Sequence, residues 1–179
     1  MMGIGSVMGQ SLNGTWKANQ EFKNMFELDD DDGTDIDILL VFNASDMTIK
    51  LLITSQDDEV GEIKMSYTIP GTYKKNKDTY TASFNKEKAI FKVDDLTTND
   101  PEMKELLTDP DSKKMILTMV ETMVKKESSK DFEDMLAISE VFEKFEVASV
   151  TTKKMELMID DTMKFGFDRQ VIQNNNKTK

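Results

Sequence analysis

A chain of 179 residues is the length of one domain, large enough to bury about two-thirds of its unfolded surface without a metal or disulfide. It contains no cysteine and no histidine, which excludes thiol nucleophiles, disulfides, thiolate or imidazole metal sites and the Ser-His-Asp triad. Lys+Arg 23 against Asp+Glu 34 gives a net charge of −11, the wrong sign for a nucleic-acid backbone.

Met1 to Gly9 is uncharged and rich in Met and Gly. It lacks the basic start of a secretory signal, yet Val7 and Gly9 have the small-residue spacing of a cleavage site. Two readings stand: a signal-peptide remnant, or a leader with too little patterning to pack. On either, residues 1–10 are expected to be disordered and outside the fold, as is the polar tail 171–179. No stretch reaches the roughly 18 apolar residues of a membrane span.

After Gly14 the dominant period is two. Ile36, Ile38, Leu40 and Phe42 alternate with Asp37, Leu39 and Val41. Met47, Ile49, Leu51 and Ile53 alternate with Thr48, Lys50, Leu52 and Thr54. Asn43-Ala44-Ser45-Asp46 between them predicts a hairpin turn. Met65, Tyr67 and Ile69 form the next row, broken by Pro70-Gly71. Tyr80, Ala82 and Phe84 and then Ala89, Phe91 and Val93 follow, each after a polar turn. The result is a meander of short antiparallel strands.

From Pro101 to Glu143 the apolar spacing becomes helical. Asn99 or Asp100 is the N-cap, with Pro101 at the first helical position, and Pro110 starts a second helix. There Met115, Ile116, Met119, Val120, Met123 and Val124 share one face of a 3.6-residue period. Phe132, Met135, Leu136, Ile138, Val141 and Phe142 mark a third helix. Period two returns with Val147, Ser149 and Thr151, then Met155, Leu157 and Ile159, then Met163, Phe165 and Phe167. The expected fold is mainly β: one domain, 11–170, with about 8–10 antiparallel strands and a helical insertion at about 99–144. An up-and-down barrel suits it better than a sandwich, because closure leaves no edge strand exposed.

The segment Leu12-Asn13-Gly14-Thr15-Trp16-Lys17 resembles the Gly-x-Trp opening of lipocalins and other calycin barrels. Arg169, in the final strand, stands where that superfamily places an arginine over the early tryptophan. They are the only Trp and the only Arg of the chain. Phe42-Asn43, Gly71-Thr72-Tyr73 and Thr79-Tyr80-Thr81 occur in an order similar to the lipocalin-like domains of exported bacterial proteins of Bacteroidetes type. The resemblance implies a barrel closed by Trp16 and Arg169, export to the periplasm or cell surface, and binding of a small apolar ligand. Two features depart from that pattern: the helical insertion, and the absence of a Cys to carry a lipid anchor.

Other candidate chemistry is sparse. Glu27 to Asp37 holds seven acidic residues and nearly fits a calcium loop with Asp30, Asp32 and Gly33, but Leu28 and Leu39 replace its first and last carboxylates. It reads as a solvated loop. The acid pairs Asp57/Asp58, Asp94/Asp95 and Asp160/Asp161 fall at predicted turns, where they serve solubility more often than hydrolysis. No catalytic residue, metal or cofactor is expected, and no enzymatic activity.

If the alternating rows face inward, large side chains line the lumen, with Ala82, Ala89 and Ser149 the small exceptions. An eight-stranded barrel is just wide enough to be filled by its own side chains or to hold one small ligand. The expectation is therefore a narrow apolar mouth lined by Met65, Tyr67 and Tyr80, with Met115, Met119 and Met123 as wall or lid, those three being alternatively helix core. The other reading is a filled barrel serving as a structural or protein-interaction module of the cell envelope. Leu39, Val41 and Leu52 lie on the opposite strand face and need a cover, from the insertion or from a partner. A monomer or weak homodimer is expected.

Overall fold

The computed structural model describes residues 11–26, 33–58 and 61–171. The expected leader 1–10, the tail from 172 onward and most of the acidic segment lie outside these. The first strand, β1 (Gly14–Ala18), is followed by a short helix, α1 (Gln20–Met25). The meander comprises β2 (Thr34–Asn43), β3 (Asp46–Asp57), β4 (Gly61–Ile69), β5 (Gly71–Asn76), β6 (Thr79–Phe84) and β7 (Ile90–Thr98). Three helices come next: α2 (Pro101–Thr108), α3 (Pro110–Glu127) and α4 (Ser129–Val141). The chain ends in β8 (Lys144–Val150), β9 (Lys154–Ile159) and β10 (Met163–Gln170).

All the strands belong to one antiparallel sheet. Its order β2-β1-β10-β9-β8-β6-β5-β3 returns to β2, so eight strands close a barrel, and β4 and β7 extend from β3. The hairpin turns are set by polar pairs. Asn43 opposes Asp46 across Ala44-Ser45, with Ala44 at φ 54°, and Asn76 opposes Thr79 with Lys77 at φ 59°.

Pro70 bends a strand without changing its register. Ile69 pairs with Ile49 and Thr72 with Asp46, so β4 and β5 follow β3 in one continuous alignment. Past the bend, β5 and β6 join the barrel wall, while β4 and β7 diverge and carry the helices. Gly71 is required at the bend, because a Cβ there would lie 2.6 Å from the Phe84 ring and 2.7 Å from the Ser83 carbonyl oxygen.

The inward rows are those the alternation predicts. Ile38, Leu40, Met47, Ile49, Leu51, Ile69 and Leu157 are fully buried, and with Phe42, Phe145 and Phe167 they belong to one contiguous cluster. Each such side chain contributes about 1.5–3 kcal/mol by leaving water. Two β-bulges shift expected positions. One falls between Val147 and Ser149, which turns Ser149 out to solvent, where its hydroxyl donates to Glu156. The other lies at Lys64/Met65, which pair with Asp95 and Val93, so that Asp94 is the extra residue in β7; Met65 is half-buried.

The insertion starts as its caps dictate. The Asp100 carboxylate accepts from the Glu102 amide at 2.8 Å ahead of Pro101, and Asp109 accepts from Ser112 at 2.8 Å ahead of Pro110. Two contacts tie α3 to β7: Lys113 to Asp95 at 2.7 Å, and the Val93 amide donating to Glu121 at 3.3 Å. The insertion therefore lies on β7 and does not cover Leu39, Val41 and Leu52. Those stay half-buried on the outer face, paired across strands with Lys50, Thr48 and Asp37. α4 sends Ile138 into the core, followed by Phe142 just past its end, and sets Phe132 against Tyr67 and Phe91 with ring centroids 5.5 and 4.9 Å apart.

Candidate functional site

One end of the barrel is built on the β1–β10 pair, where Trp16 stands directly across from Arg169. The indole is fully buried, its Nε1 donates to the Leu12 carbonyl at 2.8 Å, and the guanidinium carbon lies 4.2 Å from its ring centroid. A guanidinium can stack on an indole face and still donate in its own plane. Here Arg169 Nη1 does so to the Asn13 carbonyl at 3.0 Å. Gly14 makes room: its φ is +133°, and a Cβ there would sit 2.7 Å from Arg169 Nη1. The Gly-x-Trp pattern thus has a steric reason in this chain.

The following turn of chain holds what periodicity alone did not reveal. Asn19 caps α1 by accepting from the Phe22 amide at 3.1 Å. Phe22 is then driven into the core against Phe142, Phe165 and Phe167, at 5.4, 4.9 and 5.8 Å. On the same short helix Lys23 is buried at 6% exposure and bonds Asp35 at 2.6 Å, with Asp37 at 3.5 Å. Lys17 reaches Asp37 at 2.7 Å. So two acids at the end of the predicted acidic loop are held by cations of the barrel end. The calcium-loop positions Leu28, Asp30 and Asp32 lie outside the described residues, and Leu39 is in β2. A short amphipathic helix leaves too few residues for a period, but Asn19 three residues before Phe22 was a usable cap signal.

The residues expected to line a pocket are not brought together. Tyr67 is buried and taken up by Phe132 of α4, and burial raises its phenol pKa. Met65 sits in register between Ile53 and Val93. Tyr80 stacks on Phe145 at 5.3 Å, nearly parallel, with Lys75 Nζ 5.4 Å from its ring. Next to it, burial and then the neighbouring Tyr80 raise the Tyr73 phenol.

Met115, Met119 and Met123 need a correction. They point to solvent, at 69%, 56% and 53% exposure. They are neither a wall of the lumen nor helix core. Ile116 is buried at 9%, and Leu117, Val120 and Val124 pack toward the barrel. A helix lying on one strand buries only one column of its apolar face, and α3 buries the β-branched column.

Three depressions among the described residues open at the surface. An open groove of about 790 Å³ runs past the Pro70 bend, between Thr48, Thr72, Ser83 and Lys86. Hollows of about 380 and 210 Å³ lie beside Asn19 and Lys154 and beside Thr79 and Asp161. The two hollows are lined mostly by polar groups, the groove slightly more by apolar ones, and none of the three linings includes Met65, Tyr67 or Tyr80.

The acid pairs are placed for structure. Asp94 and Asp95 lie within β7 and not at a turn, at the β-bulge between the inward Val93 and Leu96. The hydrogen bond from Lys113 holds the Asp95 carboxyl below its usual range. Asp160 and Asp161 both have positive φ in the β9–β10 turn. Among the described residues no three acidic side chains converge as metal ligands would, and no helix is long and apolar enough to cross a membrane. No protein-family model matches the chain, and no curated protein is similar to it in sequence, so the closed antiparallel barrel rests on geometry alone.

Proposed function

We propose that this chain is a non-enzymatic interaction module built on a filled, lipocalin-like barrel, which meets its partner through the outer face of the helical insertion. One observation carries the reading. The inward side chains from all around the barrel pack against one another, with Ile38, Leu40, Ile49, Leu51 and Leu157 at 0% exposure, while three large apolar side chains of α3 are left in solvent. Protein interiors are packed to crystal-like density, so a lumen of this kind takes a ligand only by displacing side chains. Surface apolar residues grouped in a stripe mark contact sites more often than scattered ones do.

The setting we propose, export into a bacterial envelope, is supported by the resemblance to exported lipocalin-like domains. Cell fractionation of the source organism tests that part.

The binding part is tested with a fluorescent naphthylamine probe and by native mass spectrometry of protein purified from its own source. The expected result is no saturable probe binding and the bare chain mass. Stoichiometric probe binding, or a retained lipid, would replace this reading with the small-ligand one.

A further inference from the structure

We propose that the outer face of α3 is a site of reversible oxidation, where Met115, Met119 and Met123 take oxygen from hydrogen peroxide and methionine sulfoxide reductases restore them. The inference goes beyond the proposed function, since it concerns the free chain and does not depend on what meets that face.

Helix formation gives no reason for methionine at these three positions. Leu, Lys, Gln and Glu favour a helix about as well, and Lys or Glu suits an exposed position better. Packing gives no reason either. α3 is held by its other column, where Ile116 is buried and Val120 and Val124 pack toward the barrel. What methionine adds over those residues is a polarisable thioether sulfur. With no cysteine, thioethers are the only sulfur of the chain. The three are spaced four residues apart, so they share one side of α3.

The fold separates them from the other methionines. Met47 and Met155 are fully buried in the barrel, out of reach of a dissolved oxidant. Met65, Met103, Met135, Met158 and Met163 are half-buried. Met25 of α1, at 40% exposure, comes next after the α3 three among the described residues. Susceptibility of sulfur to oxidation follows exposure, so burial sets the order of reaction. Hydrogen peroxide is neutral and is not repelled by a chain of −11.

The thioether sulfur attacks one peroxide oxygen. An S–O bond forms, the O–O bond breaks, and the leaving hydroxide takes up the remaining proton and departs as water. Sulfur loses two electrons and peroxide gains them. The reductase step consumes two thiols, which leave as a disulfide with a second water. Each oxygen makes an apolar tip polar. The hold of α3 on β7 runs through Ile116, Lys113 and Glu121, so the face changes polarity while the fold is kept.

The test follows the full chain in excess hydrogen peroxide by peptide-mapping mass spectrometry. Met1, Met2 and Met8, outside the described residues, are scored on their own peptides and enter no comparison. Met115, Met119 and Met123 are expected to gain oxygen at least about tenfold faster than Met47 and Met155. The product should bind phenyl resin more weakly and melt within about 3 °C of the unreacted chain. Treatment with the two methionine sulfoxide reductases, one for each sulfoxide epimer, and dithiothreitol should restore both mass and resin retention. Ile116→Met, which puts a thioether one residue away on the packed column, should react as slowly as the buried methionines.

A smaller rate ratio overturns the proposal, as does a larger fall in melting temperature, which would make the three side chains structural. So do unchanged retention on phenyl resin and sulfoxides that the reductases leave in place. Oxidation of the Ile116→Met variant at position 116 as fast as at Met115 overturns it too, because the exposed face would then decide nothing. The probe and native-mass measurements above read the lumen and leave these rates untouched, so the two ideas fail independently.

Discussion

The two ends of the molecule are held by different physics. At the β1–β10 end, one indole, one guanidinium and one glycine lock a strand pair whose members are far apart in sequence, and Phe22 of α1 fills the space beneath. The helical insertion instead lies on β7, held by Ile116, Ile138 and Phe132 packed inward and by two polar ties, with one face in water. The barrel end is specified by steric exclusivity and the insertion by attachment. A region of the first kind tolerates little change. A region of the second kind can vary, and it is where a recognition surface can sit without disturbing the core.

The largest test of that contrast is Trp16→Ala. It removes a fully buried side chain and its hydrogen bond to Leu12, and is expected to cost about 3–5 kcal/mol. Urea unfolding should show one cooperative transition shifted as a whole. A loss below about 1 kcal/mol would mean that the barrel end is not the closure point.

Phe132→Ala should cost less, about 1–3 kcal/mol, because the ring is only half-buried. Amide exchange should then quicken in α4 and α3 while the β2–β3 amides stay protected. Uniform loss of protection would show that insertion and barrel form one cooperative unit.

Acid supplies the mildest break. Lys113 beside Asp95 and Lys125 beside Glu121 hold both carboxyls below their usual range, and both acids lie where α3 meets β7. A depressed folded pKa gives stability that is present above the unfolded pKa and lost as pH falls through the folded one. Lowering pH from about 5 to about 3 should therefore loosen α3 before the barrel. Exchange rates in α3 that are flat across that window would remove these ties from the account.

The sequence made the strand rows and turns legible because alternation depends only on which face is buried. Asn43 to Asp46 and the Asp100-Pro101 start are local signals, and local chemistry settled them. Three features were not legible. α1 is a single turn and a half, too short for a period. Which apolar column of α3 is buried depends on the strand it lies against, so Met119 and Val120 look equivalent until β7 is in place. The bulges at Val147/Ser149 and Lys64/Met65 shift the alternation at points that the residues themselves do not mark. The candidate site suffered most, since a lining requires several elements to be placed at once.

The pairing of Trp16 with Arg169 also bears on how the chain becomes a barrel. Of the barrel strands, β1 is synthesised first and β10 last. Until β10 is made, β1 can pair only with β2, and its other edge keeps a row of unpaired amides and carbonyls. Closing so long a loop is slow relative to forming the β2–β3 and β5–β6 hairpins. The meander should therefore assemble early, and the seam should close last, as the rate-limiting step of folding. During that interval the open edge of β1 is the part of the chain most exposed to pairing with the wrong partner.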